Sequence, residues 1–296
     1  MSVPEDIRLY YPLPIAKLYE TMQLESEPRQ RVRKLIDLYE RTAQYLALVG
    51  LAHYARLALQ NPKVEALRAG LERPSLGHWV ELLKTLSSVL RKHDVVLLTA
   101  QPGRIYADDE VSSAVRVLSD VTGASLPKKI RMHHFLDTLV EFRNKKIGHG
   151  VLSLLEAKQV AAPLEEGLTQ WLGDVAALRE WRLLHVAKVE WRPPHFVYTG
   201  TNLSAGTSLY PIGQHSEQAI DPERVYLHIS EDDAFLSLHP FFHYNSDIHL
   251  LYVYCELSPQ GKPLLRCPYD NKREIAAFST AEFTRAPSDS MRNHCP

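Results

Sequence analysis

Hydrophobic residues recur at helical spacing through the first part of the chain. From Leu76 to Lys92, apolar residues follow one another at intervals of three or four positions, with charged residues on the opposite side. This pattern predicts an amphipathic helix, with Ser75 in the N-cap position. The same spacing predicts four further helices, over residues 29–59, 111–123, 126–147 and 152–181.

The first of these helices contains a stretch, Thr42–Leu59, that is apolar on nearly every side. In a globular protein such a stretch indicates a central, buried helix. Residues 1–27 contain three prolines and are predicted to lie over the helical part without forming a long element. Pro163 is expected to kink or divide the last helix. Because short connections favour antiparallel neighbours, residues 29–181 are interpreted as a helical bundle.

At Trp181 the hydrophobic period changes to two, and apolar and polar residues alternate as far as Arg192. This alternation predicts a strand. Residues 258–262 have the turn residues of a hairpin, whereas residues 199–220 are rich in Gly, Ser and Thr and are predicted to be a loop. The other predicted strands cover residues 196–198, 225–229, 234–238, 248–257 and 263–266.

The predicted fold class is therefore α+β, with an all-α helical bundle followed by a small, mainly antiparallel β domain. The predicted boundaries place the bundle at residues 1–181, the β-rich domain at residues 182–280, and a flexible tail at residues 281–296. The change of hydrophobic period at Trp181 sets the boundary between the two domains.

Composition narrows the class of protein. Hydrophobic residues make up 45% of the chain and charged residues 23%, which is typical of a globular protein with a substantial core. The net charge of −1 provides no overall electrostatic attraction to nucleic acid or membrane. The N-terminus lacks the features of a signal peptide, and the longest apolar region, Tyr45–Leu59, is too short and too polar to span a bilayer. A cytoplasmic protein with no membrane association is predicted.

Metal and cofactor sites have little support in the sequence. Cys255, Cys267 and Cys295 form neither a disulfide framework nor a zinc knuckle, and reduced thiols are expected. His239 and His243 would share a face only on a helix, and Pro240 favours a strand or turn between them. His249 and Asp247 do not change this interpretation. No metal site is predicted, and no cofactor, since the chain lacks a phosphate-binding loop.

One segment departs from the balanced charge of the rest. Between Lys128 and Lys146 six Lys and Arg residues face only Asp137 and Glu141. Clustered cations of this kind bind phosphate backbones. The predicted RNA-binding residues are Lys128, Lys129, Arg131, Lys145 and Lys146.

The basic segment ends in a dense polar motif, in which Arg143 and Asn144 precede His149, and glycines flank the histidine. Arg143 follows Leu136 by seven residues and therefore continues the apolar stripe towards the bundle. A guanidinium binds phosphate through two hydrogen bonds, and a histidine transfers protons near neutral pH. Since RNA carries its own nucleophile, such a site needs no metal. The alternative is that Arg143 pairs with an acidic neighbour and His149 only caps the helix.

The motif Arg143-Asn144-(four residues)-His149, at the end of a helix in a helical bundle, resembles the Arg-(four to six residues)-His motif of HEPN domains. The resemblance covers residues 29–181 and does not extend to the β-rich part. It implies a bundle that dimerises, in which Arg and His from two protomers converge on RNA and cleave it without metal, leaving a cyclic phosphate. Many HEPN domains are instead non-catalytic modules for RNA binding, sensing or assembly.

Two functions remain open from the sequence. The first is an RNA-directed module, a metal-independent endoribonuclease of bacterial stress response or defence, with Arg143, Asn144 and His149 as catalytic residues in a homodimer. The second is a non-catalytic sensor or adaptor that uses the bundle for assembly. In either case the β-rich domain is expected to bind a ligand or a protein partner.

Overall fold

The computed structural model describes residues 2–99, 101, 103–175, 177–204, 210–217, 219–229, 234–270 and 273–275. Helices occupy the chain as far as Glu180, and strands follow from Trp181. In chain order the helices are α1 (Val3–Tyr10), α2 (Leu13–Gln23), α3 (Pro28–Arg56), α4 (Pro62–Ala69), α5 (Leu76–Leu90), α6 (Glu110–Thr122), α7 (Met132–Phe142), α8 (Leu154–Asp174) and α9 (Ala177–Glu180).

Helix α3 is the centre of the bundle. The Glu27 side chain caps its first turn by accepting hydrogen bonds from the amides of Arg29 and Gln30. Residues 42–54 of this helix are buried on all sides, and α2, α5 and α8 pack around them. The prediction of a central buried helix is therefore confirmed.

The N-terminal segment differs from its prediction. It forms α1 and α2, which bury Ile7, Ile15 and Tyr19 in the main core. Proline favours irregular structure, but Pro4 and Pro14 lie in the first turn of α1 and α2, where proline has no amide hydrogen bond to lose.

Two further helices differ from prediction, and α8 also ends at Asp174 and not at residue 181. Helix α7 begins at Met132 and not at residue 126, because the amide of Tyr106 donates to the carbonyl oxygen of Ile130 and holds that segment extended. Helix α8 continues through Pro163 without division. Its buried face, which includes Leu164 and Trp171, packs against α3 and α6, and this packing offsets the missing hydrogen bond.

The strands form two antiparallel sheets with the orders β3-β2-β1-β4-β5 and β6-β7-β8-β9. The predicted loop over residues 199–220 is wrong in part, because β2 extends to Asn202 and β3 pairs with it. The hairpin at residues 258–262 is confirmed, with Gly261 at φ +73°. The strands are β1 (Trp181–Arg192), β2 (His195–Asn202), β3 (Tyr210–Ser216), β4 (Arg224–Ile229), β5 (Ala234–Ser237), β6 (Phe242–Asn245), β7 (Leu250–Leu257), β8 (Pro263–Arg266) and β9 (Arg273–Ile275).

The helical and β-rich parts share one hydrophobic core. The Tyr45 ring of α3 meets Phe242 of β6 edge-on at 5.5 Å, and the Trp79 ring of α5 meets Tyr254 of β7 at 6.5 Å. The Tyr254 hydroxyl donates to the carbonyl oxygen of Leu71 over 2.5 Å. The α+β class is confirmed, and the change of secondary structure at Trp181 is not accompanied by a break in the core.

None of the helices in the described part of the chain combines the length and apolar character needed to cross a bilayer. Cys267 is buried and Cys255 half-buried, and both are free thiols. Cys295 and the tail predicted at residues 281–296 lie outside the described residues.

Candidate functional site

The Arg-Asn-His motif lies where α7 changes its helical geometry. After Phe142 the backbone widens into a π-helical turn, Arg143–Gly148. The amide of His149 then donates to the carbonyl oxygen of Asn144, five residues earlier, over 3.1 Å. The helix ends at Gly148, as expected from the sequence. Isolated π turns are rare, and they occur frequently at functional sites.

Arg143 lies at the inner edge of this turn, and one third of its side chain is exposed. Its Nη1 atom donates to Oδ1 of Asn144 over 3.3 Å. The same atom is 3.3 Å from the position that a Cβ atom would take on Gly148. The guanidinium therefore folds back over the end of the helix, beside the residue that precedes His149.

Asn144 contacts both of the other motif residues, since its side chain accepts from Arg143 and its carbonyl oxygen accepts from His149. Asn144 and His149 are exposed to solvent. The structure thus brings the three predicted residues together in one accessible turn. The groups available there are a guanidinium, an amide and an imidazole, which suit the binding of an anion and the transfer of a proton.

Gly150 allows the chain to leave the turn. A Cβ atom at this position would lie 2.0 Å from the carbonyl oxygen of Lys145, which is far inside van der Waals contact. Only glycine permits this approach of backbone to backbone. The sequence shows the glycines around His149, but it does not predict that Gly150 approaches the carbonyl oxygen of Lys145.

Two acidic residues of α3 face Arg143, and sequence reasoning missed both. The Oε2 atom of Glu40 lies 4.0 Å from Nε of Arg143. The neighbouring Tyr39 hydroxyl donates to the carbonyl oxygen of Leu136 over 2.8 Å, which fixes α3 against α7. Arg143 therefore has the acidic neighbour that the structural alternative expected, although the contact is long and partly exposed.

Asp37, one turn before Glu40, also lies in the field of Arg143. Partial desolvation raises the pKa of the Asp37 carboxyl, and the negative charge of Glu40 adds to this rise. The positive charges of Arg41, Arg143 and Arg33 oppose it.

The predicted RNA-binding lysines at the turn are already paired. Lys145 lies 2.8 Å from the carboxylate of Glu141, and Lys146 lies 2.6 Å from that of Glu156. The bond from Lys146 and the amide of Ser153 lower the pKa of Glu156 to about 2. Both lysines would have to leave a carboxylate partner to bind phosphate.

Lys128, Lys129 and Arg131 have a different environment. They lie in the extended segment before α7, and not on a helix as predicted. All three side chains are exposed, and none forms an ion pair with another described residue. The structure leaves these three cations available for an anionic partner.

The histidines near residue 240 lie in and around β6. His249 Nδ1 is 2.9 Å from the Tyr244 hydroxyl, and the His243 ring lies beside that of Tyr252 at 6.4 Å. Within the described part of the chain, no three His, Cys, Asp or Glu side chains lie together in a way that could hold a metal ion.

Comparison of the chain with protein-family models, with curated proteins and with solved structures finds no significant match.

Proposed function

We propose that this protein is an RNA-directed, HEPN-like module that cleaves RNA without a metal ion. The observation that carries the proposal is the chain of contacts from Arg143 through Asn144 to His149 in one exposed π turn. The Asn144 side chain holds the Arg143 guanidinium, the backbone of His149 is bonded to Asn144, and all three residues have access to solvent. A site that binds a phosphodiester and moves its protons needs this kind of preorganisation.

Each residue then has a defined role in the reaction. The 2′-oxygen of RNA bonds to phosphorus while the bond from phosphorus to the 5′-oxygen breaks, which leaves a 2′,3′-cyclic phosphate and a 5′-hydroxyl. Arg143 binds the non-bridging phosphate oxygens and offsets the charge that develops on them. His149 takes the proton of the 2′-hydroxyl or gives one to the 5′-oxygen. Asn144 orients the other two.

The reaction requires two proton transfers, and the described turn of one chain contains a single histidine, His149. A second copy supplies the other. An apolar patch, made of Val151, Leu154 and Leu155, follows the motif directly; Val151 is 85% and Leu155 77% exposed. Exposed apolar residues so close together are typical of an interaction surface. A two-fold dimer through this patch would bring two Arg143–His149 turns near each other.

The test is an incubation of the purified protein with single-stranded RNA, labelled at one end, in the presence of EDTA. We expect cleavage to products that end in a cyclic phosphate. Arg143→Ala and His149→Ala are each expected to reduce the rate by about 100-fold or more. Arg192→Ala and His195→Ala, in the β1–β2 hairpin, are the matched controls and are expected to cleave like the wild type.

No cleavage by the wild type, or cleavage that survives both substitutions in the turn, would overturn the catalytic proposal. Binding through Lys128, Lys129 and Arg131 has its own readout, because neutralising phosphates releases counterions. The affinity for RNA should fall as salt rises, and replacement of Lys128 and Lys129 by alanine should weaken that dependence.

A second candidate function is a non-catalytic sensor or adaptor. The observation that favours it is the carboxylate of Glu40 beside Arg143, which supplies a structural partner for the guanidinium. Under this hypothesis the apolar patch of Val151, Leu154 and Leu155 binds a protein, and the two sheets bind a ligand or restrain the bundle. An inactive wild type whose oligomeric state changes with Leu155→Lys would support this candidate.

A further inference from the structure

Helix α3 carries a row of arginines on its surface. Arg29, Arg33 and Arg41 lie along the helix, with Asp37 in the remaining position of a four-residue repeat. A four-residue step rises about 6 Å along an α-helix and turns about 40° around it, so these side chains follow a shallow spiral along the helix surface. Arg29 and Arg33 are exposed and Arg41 is half-buried.

Other cations of the same helix are neutralised. Arg31 pairs with Glu165 at 2.7 Å, and Lys34 pairs with Glu25 at 2.9 Å. Neither Arg29 nor Arg33 forms an ion pair with any described residue, and Arg41 donates to the amide oxygen of Gln44 over 2.8 Å. The positive charge of the row is therefore not compensated by ion pairs, whereas that of Arg31 and Lys34 is.

The row leads to the candidate site. The charges of Arg41, of Arg143 in the π turn and of Arg33 all counteract the rise that burial causes in the pKa of Asp37, so they act on the same carboxylate. Glu40, on the same stretch of α3, lies 4.0 Å from Arg143. Arg33, Arg41 and Arg143 therefore outnumber Asp37 and Glu40 around this part of α3, which leaves an excess of positive charge.

We propose that the arginine row, Arg29, Arg33 and Arg41, binds the phosphate backbone of a single-stranded RNA and guides it along α3 to Arg143. This inference rests on the proposed function and adds the path of the substrate. Guanidinium groups bind phosphate through paired hydrogen bonds, and several arginines along one helix can contact successive phosphates of a charged polymer. A single strand is favoured because unpaired RNA exposes its backbone and bases to a protein surface, whereas side chains cannot enter the deep groove of an RNA duplex.

The row was not found from the sequence because its residues are separated from the motif by a hundred positions, and an isolated arginine on a helix is usually only solvated. The prediction from local charge instead placed the RNA path at residues 128–146. In the structure Lys145 and Lys146, the two lysines beside the motif, are paired with carboxylates, so we place the approach to Arg143 along α3, while Lys128, Lys129 and Arg131 remain available for further phosphate contacts.

The experiment measures RNA binding by fluorescence anisotropy, with end-labelled polyuridylate as the probe and EDTA in the buffer. The full chain carries His149→Ala, so that the RNA is not cleaved during the measurement. Arg29→Ala/Arg33→Ala is compared with a control that removes the same charge elsewhere, Lys63→Ala/Arg192→Ala. Between about 50 and about 200 mM salt, loss of two phosphate contacts should reduce the slope of log affinity against log salt by about 1.4. Affinity at low salt is expected to fall about tenfold, with the control unchanged.

Equal affinity and equal slope in the row variant and the control would contradict the proposed role of the arginine row. The same holds if the protein with His149→Ala and an intact row binds no RNA. The cleavage assay keeps this outcome separate from the proposed function. If Arg29→Ala/Arg33→Ala binds and cleaves RNA like the wild type, the proposed RNA path along α3 is wrong and the proposed nuclease activity stands. RNA that binds along the row but is never cleaved supports the row and overturns the nuclease. A thermal melt confirms that the variants remain folded.

Discussion

The amide nitrogen of His149 donates to the carbonyl oxygen of Asn144, and this single bond defines the last turn of α7. In an α-helix the amide of His149 would meet the carbonyl oxygen of Lys145, four residues earlier. The wider turn instead connects His149 to the residue whose side chain holds Arg143. Asn144 thus contacts the side chain of Arg143 through its own side chain and the backbone of His149 through its carbonyl oxygen.

Removal of the Asn144 side chain tests this connection. In Asn144→Ala the Nη1 atom of Arg143 loses its nearest acceptor, so we expect the guanidinium to become mobile and the rate of RNA cleavage to fall about tenfold. Asn144→Asp keeps an acceptor at the same place and should recover part of that loss. The loss is expected in kcat more than in KM, which distinguishes positioning from RNA binding. An alanine variant with unchanged kcat would contradict the role.

Gly150 provides a test that changes no chemical group of the site. In Gly150→Ala the new methyl group meets the carbonyl oxygen of Lys145, and backbone atoms cannot move aside as a side chain can. We expect the end of the turn to shift, with a loss of stability of about 1–3 kcal/mol and a clear loss of cleavage.

The matched control is Gly103→Ala, because a Cβ atom there has nothing within 4 Å. Thermal melts and cleavage rates of the two variants give the comparison. If both variants behave alike, the close approach at Gly150 does not determine the geometry of the site.

Glu40 competes with phosphate for Arg143. Their contact is long and both side chains are partly exposed, and such pairs contribute about 0–1 kcal/mol to stability. Glu40→Gln is therefore expected to leave the melting temperature nearly unchanged and to increase RNA affinity severalfold at low salt. Glu190→Gln, which removes the same charge from the β1 strand, is the control for overall charge. Weaker RNA binding by Glu40→Gln would show that Glu40 positions Arg143 and does not compete for it.

His53 makes the stability of the fold depend on pH. Its ring is buried in α3 against Trp181, at 5.1 Å, and burial, together with nearby Arg56, lowers its pKa to about 4. The unfolded chain binds a proton near pH 6.5 and the folded chain does not, so stability is complete above that pH and is lost as the pH falls towards 4. The loss from about pH 7 to about pH 5 should be near 2 kcal/mol for this group.

The measurement is urea unfolding at both pH values for the wild type and for His53→Gln. The substitution will cost some packing at each pH, so the difference between the two pH values is the informative quantity. His185 is also buried with a lowered pKa and contributes in the same direction, so we expect the variant to reduce the pH dependence without abolishing it. An unchanged difference would mean that His53 is protonated in the folded state.

Much of the architecture follows from local patterns. The amphipathic helix from Leu76 and the alternating strand from Trp181 begin where the sequence predicts, because their periods match a helix and a strand along their whole length. β3 (Tyr210–Ser216) was missed because Pro211 and Gly213 weaken its own strand signal, and its pairing with β2 depends on tertiary structure. Tertiary pairing overrides weak local preference in such places.

In the candidate site, too, local contacts are predictable from the sequence and long-range contacts are not. Arg143, Asn144 and His149 are neighbours in sequence, so the chain itself places them at one helix end and makes their grouping predictable. The pairing of Lys146 with Glu156 depends on how the chain turns after Gly150, and no local pattern specifies that turn.

Spacing within short stretches of chain is enough to predict the helical and β-rich parts, the central helix and the polar motif. The surroundings of the motif follow only from the fold: Glu40 and Asp37 beside Arg143, the arginine row of α3, and the joint core that holds both parts together. These contacts join residues far apart in the chain, so no local pattern specifies them. Their distances are set by the packing of α3 against α7 and of the bundle against the sheets.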